Sequence, residues 1–125
     1  MRYVIGLDEL PAGRTADGSV VRSLEGQDYG LAGSSLLLGE LAPGFGLPLH
    51  RHPVEEVFLL VRGEATFTVG DSRVEAGAGD IVVVPAGVPH RFVNSGEAPL
   101  VLHAFLAGPR IVTEYVVPGD SSETP

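Results

Sequence analysis

An all-β sandwich or barrel is the fold class this sequence predicts, on three observations. About ten short apolar segments recur at close spacing, 17 glycines and 10 prolines punctuate the 125 residues, and no stretch carries the 3.6-residue apolar period of an amphipathic helix. Arg2 to Leu7 reads as a first short strand, and Leu10 to Gly18 as a turn-rich segment broken by Pro11, Gly13, Asp17 and Gly18. Val20 to Leu24 is a further strand, Glu25 to Gly33 a polar, glycine-bearing loop, and Ser35 to Leu41 a strand ending at the Ala42-Pro43-Gly44 turn. Beyond the histidine-bearing segment 44–63, Ala65 to Val69 alternates apolar and threonine side chains as a half-buried strand does, and Gly70-Asp71 marks a hairpin. Val74 to Ala76 is short, Ala78-Gly79-Asp80 turns the chain, and Ile81 to Val84 is apolar on both faces. His90 to Asn94, Leu100 to Leu106 and Ile111 to Val117 complete the strands, and residues 119–125, GDSSETP, read as a frayed tail after one domain, 1–118.

The chemistry-bearing stretch is residues 44–63, GFGLPLHRHPVEEVFLLVRG. His50 and His52 are two apart, so an extended backbone points both imidazoles to one face. Pro53 interrupts the ladder, having no N–H to donate, and the apolar run EEVFLLV can return Glu56 toward the same point before Gly63 turns the chain. Glu55 would point to the opposite face. Two histidines and a carboxylate leave a divalent ion with open positions. His90, in GDIVVVPAGVPHRFVN (79–94), is the candidate fourth ligand.

Composition excludes several chemistries. There is no cysteine, so disulfides, Fe–S clusters and thiol nucleophiles are ruled out, and all eight basic residues are arginines, which rules out Schiff-base catalysis. A net charge of −8 argues against nucleic acid and against an anionic membrane surface. No run approaches the ~20 apolar residues of a membrane span, and the first residues lack a signal-peptide core, so the expected location is the cytoplasm.

The series Gly44, His50, His52, Glu56, Gly63, then Gly79, Pro85, Gly87, His90, Asn94 matches the two signature motifs of the cupin superfamily, 15 residues apart. The chain thus resembles a small single-domain bacterial cupin, which implies a jelly-roll barrel, a double-stranded β-helix. The resemblance also implies that His50, His52, Glu56 and His90 bind one divalent transition metal, Fe, Mn, Ni, Co, Cu or Zn. Small cupins include diketone- and flavonol-cleaving dioxygenases, polyketide cyclases, isomerases and decarboxylases. The expected function is a metal-dependent, dioxygenase-like oxidoreductase acting on a small oxygen-bearing substrate. The alternatives are a cyclase or isomerase, or a non-catalytic cupin binding a carboxylate or sugar.

Candidate pocket walls are Phe58, Phe67, Phe92 and Phe105; His103 belongs with them if its strand turns that face inward, and Asn94 is a strand-end or ligand-supporting residue. Glu56 is the one catalytic candidate, through metal ligation. Glu40 and His103 are the remaining acid–base candidates. In EVFLLV, Phe58 and Leu60 share the face of Glu56, and Val57, Leu59 and Val61 lie opposite. If the first face lines the barrel, the second needs cover, and packing against another copy of the chain predicts a homodimer.

Overall fold

The computed structural model describes residues 2–117; the expected tail lies outside them, as do Met1 and Pro118. Eleven strands run β1 (Ala12–Arg14), β2 (Val20–Leu24), β3 (Ser35–Leu41), β4 (His50–Arg51), β5 (Glu56–Arg62), β6 (Glu64–Val69), β7 (Ser72–Gly77), β8 (Ile81–Val84), β9 (His90–Val93), β10 (Leu100–Leu106) and β11 (Glu114–Tyr115). They form two antiparallel sheets, one in the order β1-β2-β3-β10-β5-β8 and one in the order β11-β4-β9-β6-β7. This is the jelly-roll architecture that the resemblance implies.

The interior is what strand parity dictates. In β5, Glu56, Phe58 and Leu60 are buried and the residues between them half-buried; in β10, Leu100, Leu102, Ala104 and Leu106 are buried. The long pairing of β3 with β10, from Leu41↔Leu100 to Ser35↔Leu106, sets the middle of the larger sheet. Phe67 of β6 stands directly across from Phe92 of β9, and its ring meets that of Phe58, from the other sheet, edge-on at 5.1 Å. Gly63, between β5 and β6, is a position only glycine fits. Its φ is +87°, and a Cβ there would sit 2.7 Å from the Pro99 carbonyl oxygen.

Several expectations need correction. Arg2–Leu7 is not a strand: Leu7–Glu9 forms a 3₁₀ turn, whose Glu9 carboxylate pairs with the Arg2 guanidinium at 2.7 Å and accepts the Gly6 N–H, a backbone donor that a ladder would use. The segment read as turns does contain a strand, β1, held as an edge by Ala12↔Arg22 and Arg14↔Val20. Of Ile111–Val117 only Glu114 and Tyr115 pair, because their partner β4 is two residues long, bounded by Pro48 and Pro53. Ile81–Val84 stands as read, a strand apolar on both faces, with Val82 and Val84 buried and Ile81 and Val83 61% and 65% exposed. Asn94 takes the strand-end role. Its amide donates to the Leu41 and Ala98 carbonyls and its oxygen accepts the Gly96 N–H, all at 3.0 Å.

Candidate metal centre

The two sheets meet at one end around four buried polar side chains. His50 of β4 is paired in register with His90 of β9, so the smaller sheet sets two imidazoles side by side, with ring centroids 4.4 Å apart. His52, two residues on, turns its ring to within 5.1 Å of His50 and 5.3 Å of His90. Glu56 arrives from the larger sheet as the first residue of β5. One ligand atom from each of His50, His52, Glu56 and His90 lies within 4.8 Å of the others, close to the ~4.2 Å between opposite ligands of an ion with ~2.1 Å bonds. Glu55 is exposed, as parity requires.

Backbone carbonyls orient every ring. His50 Nδ1 bonds the Pro48 carbonyl at 2.8 Å, His52 Nδ1 the Val112 carbonyl at 2.8 Å, and His90 Nδ1 the Val88 carbonyl at 2.9 Å. A carbonyl only accepts, so each Nδ1 carries the proton and each neutral ring offers an Nε2 lone pair inward. Those lone pairs converge on another acceptor. Glu56 Oε1 stands 2.9 Å from His90 Nε2 and 3.3 Å from His52 Nε2, and the His52 nitrogen, buried and poorly aligned to that oxygen, has no hydrogen-bond partner. Acceptors this close need a cation or an added proton between them, so the donor set fits a divalent metal ion.

Protonation shows the same need. Burial opposes charge on His52, but the Glu56 carboxylate and the Val112 carbonyl outweigh it and raise its pKa above the ordinary imidazole value. Burial likewise disfavours ionised Glu56, yet His52 and His90 hold its pKa below the usual carboxylate value. His50 is lowered by burial, reinforced by the neighbouring imidazoles. Protons therefore compete with a metal at His52 to higher pH than at a free histidine. Apparent metal affinity should rise with pH through the ordinary imidazole range, ~6.5, and level off only above it. Competition titrations with a chromophoric chelator between about pH 6 and pH 8 check this, and an affinity flat across that range would contradict it.

A small cavity of about 50 Å³ adjoins His50 and Glu56. Phe58 and Phe92 line it, whereas Phe67 is fully buried in the core behind them. Phe105 and His103 do not. Both lie on the outward row of β10, where Phe105 is 45% exposed and His103 shares an external groove with Glu40, Arg14 and Arg22. None of these can serve as acid or base at the buried cluster. Phe45, Leu47 and the Val112 carbonyl escaped the sequence reading. Phe45 and Leu47 sit in the β3–β4 loop, where no periodicity assigns a face, and a backbone carbonyl 60 residues from His52 leaves no trace in residue identity.

The sequence model of the cupin domain matches residues 37–106. An uncharacterised protein of Streptomyces coelicolor is 36% identical over 100 residues, covering 79% of this chain and 90% of its own length. A gentisate 1,2-dioxygenase of a Ralstonia species is 33% identical over 73 residues, but those span 56% of this chain and only 21% of the enzyme. Among solved structures, the oxalate decarboxylase of Lactobacillus farciminis superposes with a TM-score of 0.78 at 24% identity, over 87% of this chain and 34% of that one. The chain thus spans 34% of one enzyme and 21% of the other, and the structural likeness concerns the fold. A family model covering more than half the sequence, together with a relative matched over nine-tenths of its own length, places this chain in the cupin domain family.

Proposed function

We propose that the protein is a metal-dependent enzyme, a dioxygenase-like oxidoreductase in which His50, His52, Glu56 and His90 hold one divalent transition ion. The observation that carries this reading is the convergence of three backbone-oriented imidazoles on a buried carboxylate, with the His52 Nε2 lacking a hydrogen-bond partner. Bound there, the ion would supply Lewis acidity or a redox couple to a small oxygen-bearing substrate. The chain's own contribution is to fix ligand tautomers through Pro48, Val88 and Val112 and to exclude water with Phe58 and Phe92. Among the described residues no side chain other than the proposed ligands offers acid–base chemistry in the cavity, which favours metal-centred oxidation over epimerisation. Dioxygenase relatives such as the gentisate enzyme support the same direction.

Oxygen uptake and substrate loss should be measured with diketones and flavonols after reconstitution with Fe(II), Mn(II), Ni(II) or Cu(II). The native protein should turn over and the His50→Ala, His52→Ala double variant should not. Equal rates would refute metal-centred catalysis. Tight substrate binding without turnover would favour the non-catalytic module instead.

We further propose a homodimer through the outer face of the larger sheet, where Val61, Ile81, Val83 and Phe105 are 42–65% exposed on adjacent strands. Sedimentation velocity at micromolar concentration should show a dimer and Val83→Arg should yield a monomer; a monomeric native protein would contradict this.

A further inference from the structure

The cavity beside His50 and Glu56 is walled by hydrocarbon. Among the described residues those two are its only polar side chains, and Leu37, Leu41, Phe45, Phe92 and Leu102 supply much of the remainder. Other buried polar side chains among the described residues are committed elsewhere. Ser19 Oγ accepts the Ala42 N–H, Ser35 Oγ donates to the Gly108 carbonyl, and Asn94 is held by three backbone groups. Among the described residues no arginine lines this cavity; Arg51 lies in a separate groove against His52. A carboxylate or hydroxyl entering it would therefore lose water and find no partner. Size is the second constraint: about 50 Å³ holds roughly three or four water-sized groups.

Gly39 is one of the residues lining this space. It lies on the inward row of β3 between Leu37 and Leu41, and a Cβ there would stand 3.4 Å from Leu41, an ordinary van der Waals contact. The backbone is not in the left-handed region, so alanine fits without strain, while the branches of valine would project into the open volume.

We propose that this site selects a compact ligand with one chelating, oxygen-bearing head and a hydrocarbon body of about three or four carbons, and rejects any ligand with a second charged or hydroxylated end. The inference rests on the metal-binding reading above. It names the substrate class by what the wall can accept, and it makes Gly39 a specificity-determining residue rather than a catalytic one.

The test uses Co(II) loading, counted first, and then a matched series of hydroxamate probes followed through the cobalt visible spectrum. From acetohydroxamate to butyrohydroxamate, affinity should rise about fourfold per methylene. The monohydroxamate of succinic acid, which carries a carboxylate at the far end, should bind at least tenfold more weakly than butyrohydroxamate, and so should octanohydroxamate, whose chain is too long for the cavity. Gly39→Val should take up one Co(II) as the native protein does but lose the gain in hydroxamate affinity with chain length; Gly39→Ala, should valine fail to fold, should lose part of it. A carboxylate-ended probe that binds as well as butyrohydroxamate, or a chain-length series unchanged by a folded Gly39 variant, would overturn the proposal while leaving the metal reading intact. Failure of the native protein to take up cobalt would overturn both.

Discussion

Replacing Glu56 by glutamine is expected to lower divalent-metal affinity at least a hundredfold while leaving the metal-free protein within about 1 kcal/mol of its original stability. The two effects differ because of what the amide changes. Loss of a supporting group around a metal ligand already weakens binding by ~10–100-fold, and here a charged ligand itself is removed. In the metal-free protein, however, the carboxylate faces the Nε2 lone pairs of His52 and His90, and the His52 atom has no hydrogen-bond partner. A glutamine N–H can donate to one of them. Metal titration and urea unfolding of the same variant separate the two quantities. A stability loss above ~3 kcal/mol, the scale of a broken buried ion pair, would mean that an imidazolium–carboxylate attraction, not a vacant ligand set, holds these groups together.

Phe67→Ala should destabilise the protein by ~3–5 kcal/mol, a large share of the ~5–15 kcal/mol available to a domain. Phe67 is fully buried, faces Phe92 across the strand pair and packs against Phe58 from the opposite sheet, so truncation opens a void at the junction of both layers. Neighbours held in two hydrogen-bonded ladders have little freedom to collapse into it. Phe105→Ala is the control: at 45% exposure on the outer face, its loss should change stability by less than ~1 kcal/mol at concentrations where the protein is monomeric. Midpoints from urea denaturation would decide, and equal effects at the two positions would contradict the assignment of inner and outer rows.

The alternation of apolar residues made much of this arrangement legible before any coordinates. Ser35–Leu41, Ile81–Val84 and Leu100–Leu106 are strands with the expected bounds, and the parity of EVFLLV places Glu56 inward and Glu55 outward as read. The same logic brought His50 and His52 together, although the strand that carries His50 ends at Arg51 and His52 lies just beyond it. It was silent where a face is chosen by neighbours rather than by pattern. VLHAFL is apolar in both registers, and only pairing with β3 and β5 turns Leu102 and Ala104 inward and His103 and Phe105 outward. Arg2–Leu7 failed for a different reason: a local carboxylate captured its backbone donor, an option no strand propensity registers.

The register that joins residues 35–41 to residues 100–106 has a consequence for biosynthesis. β3 has its partner on one side, β2, as soon as it emerges, but the strand that ties it to β5 is made more than fifty residues later. His50 likewise waits for His90 to arrive beside it. Until His90 and residues 100–106 are in place the nascent chain cannot close its shell, so no ion can be held by the full ligand set before then, and the half-made sheet meanwhile keeps an unpaired edge.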